Sequence, residues 1–389
     1  MAPAACGELL TEPVSDRDLL DAPIEGLSGA ELTLFLRGDA EFGRRFAPVD
    51  GLGPIFNNVS CISCHSGDGR GRPNNVLFRI GQEADGFLAE LGGPQIQDKA
   101  IPGAEAELLP AGVAVSVRLP PPVFGVGLIE AIPESAILAN VDSLDTNADG
   151  ISGRPNWTYG AEYVTTDERG GGPGLRLGRF GRKAQTPTLL QQTVEAYHQD
   201  MGITSEFRLA ENRNPLSSVQ AFAADLAADP EISTATVQAV VHYIRTLAAP
   251  PPGASTPQRD AGRALFTTTG CASCHVPSFT TGPHPIAALS NRTVELYSDL
   301  LLHDMGDVLA DNRPDGAASG REWRTTPLWG LRLMRRFLNG DAFLMHDGRA
   351  RSVEAAILLH GGEAAHARNA FAALSAPQRM SLLDFVESR

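Results

Sequence analysis

The chain has 389 residues, 42% of them hydrophobic, and a formal net charge of −14 with two lysines, Lys99 and Lys183. That length accommodates two or three cored domains, and no uninterrupted apolar run approaches the roughly 20 residues of a membrane span. The acidic balance argues against a nucleic-acid partner, while 40 glycines and 28 prolines predict long loops around short helices.

Residues 1–27 carry prolines and acidic side chains without periodicity and read as an extended arm. Within it, Ala4-Ala5-Cys6-Gly7 resembles the end of a bacterial lipoprotein signal, in which the cysteine is acylated. Met1–Cys6 holds no apolar signal core, so the alternative to a lipid anchor at Cys6 is a bare terminal cysteine. Ala30–Phe46 shows an imperfect helical stripe of Leu32, Phe35, Leu36, Phe42 and Phe46. It leads through Gly51-Leu52-Gly53 to Cys61-Ile62-Ser63-Cys64-His65.

Two cysteines three apart with a histidine after the second are the attachment signature of a c-type haem. In one helical turn both sulfurs face the same side and reach the haem vinyl groups, and the adjacent imidazole reaches the iron. A zinc knuckle or a redox pair that happens to precede histidine is the competing reading. The same string returns as Cys271-Ala272-Ser273-Cys274-His275, 210 residues after the first by subtraction of Cys61 from Cys271. Two occurrences, each preceded by a helix and a short turn, read as an internal duplication and a dihaem protein. Four of the five cysteines are then committed, so no structural disulfide is available.

After His65, the glycine- and arginine-rich loop Gly67–Pro73 suits a haem edge or propionate. Val76–Ile80 and Val113–Leu119 alternate weakly and predict short strands. Glu130 is the single charge in the apolar run Val123–Pro133. A carboxylate desolvated there has a raised pKa, as a proton-transfer group beside a haem needs; a glutamate paired with an arginine is the alternative. Asp145-Thr146-Asn147-Ala148-Asp149-Gly150 matches the first half of a calcium loop, with Asp145, Asn147 and Asp149 as candidate ligands. Its twelfth position is Asn156 rather than Glu, and the same residues serve ordinary turn chemistry. Gly170–Gly174 reads as a loop. Ala184–Tyr197 and Ser233–Leu247 predict helices, and Pro250-Pro251-Pro252-Gly253 marks the domain boundary.

Arg259–Phe266 predicts the helix that approaches the second motif. His303-Asp304-Met305-Gly306 echoes His198-Gln199-Asp200-Met201-Gly202, placing a His/Met element in each half. Either sulfur could ligate iron, and a buried core methionine is the alternative. Met345-His346-Asp347-Gly348 precedes Ser352, an N-cap for a helix over Val353–Leu359 that stops at His360 and Gly361-Gly362. An imidazole there is placed either as a second axial ligand or as a cation at a helix C-terminus.

The two CxxCH motifs, the proline-rich hinge and the segments FGVGLIEAIPE, DGISGRPN, GRFGRKA, LLLHDMG and MHDGRARSVEAAILLHGGEA resemble the bacterial dihaem cytochrome c peroxidase and MauG superfamily. Within it the chain is most similar to the di-haem oxidoreductase family, sometimes labelled thiol oxidoreductase. The resemblance spans about residues 25–389. It implies that the C-terminal haem takes its second ligand fourteen positions after the histidine of a His-x-Gly element, a count that runs from His346 to His360. It also implies a glutamate near the N-terminal haem, with Glu130 the candidate, and calcium between the domains. The family usually has tryptophan, a possible electron relay, where this chain has Arg182; Trp157, Trp323 and Trp329 remain. With four cysteines holding haem, no pair is left to cycle as a thiol oxidoreductase would.

The expectation is therefore a mostly α protein of two cytochrome c-like haem domains, 28–250 and 251–389, with long irregular loops and a few short strands. Haem 1 would be held by Cys61, Cys64 and His65, and haem 2 by Cys271, Cys274, His275 and His360. The expected activity is reduction of hydrogen peroxide at haem 1, with electrons from a small donor protein, a cytochrome c or cupredoxin, relayed through bis-His haem 2. The alternatives are an electron-transfer cytochrome without peroxidase activity and MauG-like oxidation of a protein or organic substrate. Because bacteria attach haem c outside the cytoplasmic membrane, the expected location is the periplasm or beyond it.

Overall fold

The computed structural model describes residues 20–389 apart from 66, 68, 70, 83–85, 220–224, 226 and 339, and backbone only at 335–337. The expected arm up to Asp16–Leu19, with Cys6, and Arg70 of the glycine-rich loop lie outside the described residues. The α-helices are α1 Gly29–Gly43, α2 Cys61–Cys64, α3 Val126–Ala131, α4 Glu134–Leu138, α5 Leu189–Met201, α6 Thr234–Thr246, α7 Pro257–Thr268, α8 Leu331–Phe337, α9 Val353–Leu359, α10 Ala365–Ala373 and α11 Ala376–Glu387. Helix makes up 34% of the chain, so it dominates the regular structure while loops and short strands hold most residues.

Each half is built on one close helix crossing. In the first, α1 crosses α6 at Gly38, where a Cβ would sit 2.1 Å from the Ala239 carbonyl oxygen and 2.6 Å from Tyr243 Cβ. In the second, α7 crosses α11 at Gly262, where a Cβ would sit 2.0 Å from the Ser381 carbonyl and 2.7 Å from Phe385 Cβ. Only glycine permits such an approach. Four residues after each glycine, one helical turn on, a phenylalanine packs between the partner helix and a motif histidine. Phe42 lies 5.3 Å from the Tyr243 ring and 6.1 Å from that of His65. Phe266 lies 5.5 Å from Phe385 and 6.2 Å from His275. The repeated Gly-x-x-x-Phe and its matched partners show the duplication in three dimensions.

Local signals set most helix ends. Ser28 and Glu31 form a capping box on α1, and Ser233, Thr256 and Ser352 accept from backbone amides at the starts of α6, α7 and α9. The helix expected over Ala184–Tyr197 instead runs Leu189–Met201. Thr188 caps it, after Ala184 at φ 51° and Pro187, and Gly202 at φ 73° ends it. The expected strands pair antiparallel as Leu77–Gly81 against Ala114–Arg118, with Leu77 opposite Arg118.

Besides a small cluster of Ile80, Leu88 and Ile96, two main cores form, and they do not divide at the proline hinge. The larger takes residues from α1, α3, α5 and α6, and also Phe279, Leu289, Leu300, Leu301 and Trp329 from beyond the hinge. The smaller is built from α7, α9 and α11 and includes Leu119 of the first half. The halves are thus packed together by segments that each sends into the other.

Candidate functional site

Both CxxCH strings fold tightly enough to bring their thiols to one side. Cys61–Cys64 is a single helical turn and Cys271–Ser273 a 3-10 turn, and none of the four cysteines is in a disulfide. Each following histidine is half-buried and gives Nδ1 to a backbone carbonyl: His65 to Pro121 and His275 to Tyr297, both at 2.8 Å, with Gly69 a second backbone neighbour of the His65 ring. That fixes the tautomer and puts the lone pair on Nε2, the nitrogen that can bind a metal. Burial pushes both imidazoles down to about 4, so they are neutral at pH 7.

Each motif opens onto a cavity. The one at Cys61, Cys64 and His65 has a volume of about 180 Å³ and takes its walls from α3, α5, α6 and the Pro120–Pro122 run. The one at Cys271, Cys274 and His275 has a volume of about 470 Å³. His360 lines this second cavity, with Nδ1 donating to the Ala356 carbonyl at 2.7 Å and its lone pair again on Nε2. Met305 and Met345 line it as well. In the first cavity the lining histidine is His65 alone, and Met201 contributes a buried sulfur. His198 does not line it; its Nε2 donates to the Ala210 carbonyl at 2.9 Å. Across the chain, the model of the family described as "Di-haem oxidoreductase, putative peroxidase" matches residues 16–83 and 96–389.

The chain belongs to that family. It is thus a di-haem oxidoreductase, a family whose cofactor is haem. Among solved structures, a hydrazine synthase from Kuenenia stuttgartiensis is 14% identical, with a TM-score of 0.41 over 100% of this chain and 98% of that one. A MauG-like protein associated with microbial copper homeostasis is also 14% identical, with a TM-score of 0.38 over 94% and 90%. No curated protein sequence matches the chain.

The di-haem oxidoreductase separates its cavities with a wall one segment thick. Along residues 323–329, Trp323, Thr325 and Leu328 face the second cavity and Trp329 the first, while Arg324, Thr326 and Pro327 border both. Arg182 borders both from the other side, donating through Nε and Nη2 to the Leu119 carbonyl at 3.1 and 2.7 Å. Arg324 gives Nη1 to the Arg179 carbonyl at 2.7 Å, and its Nε is buried without a partner. A buried guanidinium N–H lacking an acceptor beside two haem cavities fits a haem propionate. Sequence reading missed Arg324; its signal was only an arginine beside Trp323 in the mixed string Arg321-Glu322-Trp323-Arg324-Thr325-Thr326.

Glu130 departs from expectation. Its neighbours Val126 and Ile129 on α3 face the first cavity, but the carboxylate is not among the residues lining it. It pairs with Arg245 of α6, Oε2 to Nε at 2.5 Å and Oε1 to Nη2 at 3.2 Å, and Arg245 also holds Glu168. The Arg245 guanidinium compensates the charge of this buried carboxylate, so the paired alternative describes this residue.

The turn at Asp145 spends its oxygens on its own backbone. Asp145 accepts from Gly150 N at 3.2 Å, Asn147 Oδ1 from Asp149 N at 2.9 Å, and Asp149 Oδ1 from Ile151 N at 2.9 Å. Trp157 is 38% exposed and lines neither cavity. His303 lies at the second cavity between two carboxylates, Nε2 to Asp299 Oδ2 and Nδ1 to Glu363 Oε2, each at 2.8 Å. Burial opposes its charge, but the two carboxylates raise its pKa well above the usual range. With both ring nitrogens donating, it has no lone pair for iron.

Proposed function

We propose that this di-haem oxidoreductase reduces hydrogen peroxide at haem 1, with electrons relayed through haem 2, both haems being thioether-linked c-type groups. Cys61 and Cys64 would hold haem 1 with His65 on its iron. Cys271 and Cys274 would hold haem 2 between His275 and His360. Bound haem supplies a redox-active iron that exchanges electrons and, where a coordination position is open, binds peroxide.

The observation that carries this reading is the asymmetry of the imidazoles. The second cavity is lined by five histidines, of which His275 and His360 each give Nδ1 to a backbone carbonyl, whereas the first is lined among the described residues by His65 alone. Two imidazoles close an iron and lower its potential relative to a methionine partner; a single one leaves a position for substrate. Reduction of one peroxide to two waters consumes two electrons and two protons, so a proton-handling group is needed at haem 1. Asp200 is the carboxylate in the first cavity's lining, where burial pushes it up to about 6 and Gln95 Nε2 donates to it at 2.6 Å. Asp200 takes the role first assigned to Glu130. The donor is a small cytochrome c or cupredoxin, and the setting is outside the cytoplasmic membrane.

Electron paramagnetic resonance of the isolated ferric protein tests this: one high-spin and one low-spin haem are expected. A second reading rests on Met201. If its sulfur completes haem 1, the protein is an electron-transfer cytochrome, and two low-spin haems with no peroxide turnover would establish that.

A further inference from the structure

We propose that Glu211, Asp225 and Glu231 form a calcium site on the excursion between α5 and α6, apart from both cavities and from the Asp145 turn. A carboxylate oxygen from each lies within 4.8 Å of those of the other two. Clustered acids alone mark no site, and Asp225 is the deciding residue. It is 7% exposed, and its Oδ2 is buried with no hydrogen-bond partner while Oδ1 accepts from Ala227 N at 2.9 Å.

The other two carboxylates are divided in the same way. Glu231 turns Oε2 to the amide and hydroxyl of Thr204 and leaves Oε1 buried without a donor; Glu211 Oε2 is likewise buried and unpartnered. One orphaned acceptor from each of three converging side chains is what a cation would satisfy, and leaving such acceptors dry is unfavourable. Burial first, then neighbouring acids including Asp229, push Glu211 up to about 8 and Glu231 up to about 7, and Asp225 also rises. Arg213 offsets part of that charge at Glu211. The donors are all carboxylate oxygens, which favours a hard cation over zinc or copper, and calcium tolerates the irregular geometry of side chains from separate loops better than magnesium does.

An ion there would brace the wall of the first cavity. Ile232 N donates to the Thr204 carbonyl, so the two strands of the excursion are already stitched beside the cluster. One strand follows from α5, which carries Tyr197, Asp200 and Met201 of the cavity lining; the other runs into α6, which carries Val240 and Ile244.

The test is calorimetric titration of calcium chloride into haem-loaded protein stripped with a chelator, comparing wild type with Asp225→Asn and Glu211→Gln. The wild type should show a binding event that weakens at least tenfold in both variants, and calcium should raise its melting temperature but not theirs. Because each variant relieves repulsion, its calcium-free form should melt no lower than calcium-free wild type, which separates loss of binding from misfolding. No binding to wild type at millimolar calcium, or equal affinity in wild type and both variants, would overturn the site.

Discussion

The carboxylate of Glu130, 1% exposed, is clasped by both the Nε and Nη2 of Arg245, at 2.5 and 3.2 Å. Removing one partner of a buried pair leaves the other uncompensated, at about 3–5 kcal/mol. Arg245 would keep Glu168, so Glu130→Gln should destabilise by about 3 kcal/mol or less, measured by denaturant unfolding. Peroxide turnover per haem-loaded molecule should stay within a few-fold of wild type. A drop of ~10²-fold or more would return this carboxyl to the proton chemistry.

The indole of Trp323 lies flat on the His346 imidazole, ring centroids 3.6 Å apart and planes 9° apart, with Lys183 Nζ 4.5 Å over the Trp323 ring. Burial holds His346 neutral. A lysine cation at the ring face raises the energy of an indole radical cation, so Trp323 is a poor stepping stone for electrons despite its place at the second cavity. Trp323→Phe should therefore change haem-to-haem electron transfer by less than about tenfold in flash-photolysis kinetics. Trp323→Ala should instead destabilise by about 3–5 kcal/mol through the cavity it leaves.

His360 is held in orientation by the Ala356 carbonyl at 2.7 Å, at the end of a helix capped by Ser352. His360→Ala should convert one haem, and only one, from low to high spin, and added imidazole should reverse it. An unchanged low-spin signal would assign the position to Met305 or Met345, which line the same cavity.

Arg324 borders both cavities with a buried, unpartnered Nε. Neutralising it as Arg324→Gln removes a positive charge that favours the reduced haems. Both reduction potentials should fall by on the order of 60 mV, the one-electron equivalent of about 1.4 kcal/mol. Spectroelectrochemical titration reads this directly, and a shift in one haem alone would mean the guanidinium serves a single propionate.

The acid cluster predicts a pH dependence. In calcium-free protein Glu211 and Glu231 titrate near about 8 and 7, against roughly 4.3 in the unfolded chain. Between those limits the folded state binds more protons, so stability falls as pH rises from about 4.5 to about 8. Melting temperatures in chelator should decline across that window, less steeply in Asp225→Asn, and calcium should remove the difference.

The attachment motifs, the capped helices and the strand pair at Leu77–Gly81 were legible because each rests on neighbours a few residues apart, where spacing alone sets the geometry. So was the duplication, though its physical content lies in Gly38 and Gly262, whose role needs a helix from the far end of each half. The Asp145 turn shows the limit of local pattern: oxygens at alternate positions are equally suited to a cation and to the turn's own amides, and only the fold shows they are spent on amides. Glu130 and Asp225 carry the same lesson in opposite directions. A charge in an apolar run announces burial but not its partner, and the partner arrives across 115 residues in one case and is lacking at one oxygen in the other. Sequence by itself determined the two CxxCH motifs, since two thiols and an imidazole must be close along the chain to act together. Only the tertiary structure decided which carboxylates face a cavity and which arginines share the wall between the two, because charge compensation in a buried site depends on distance through space rather than along the chain.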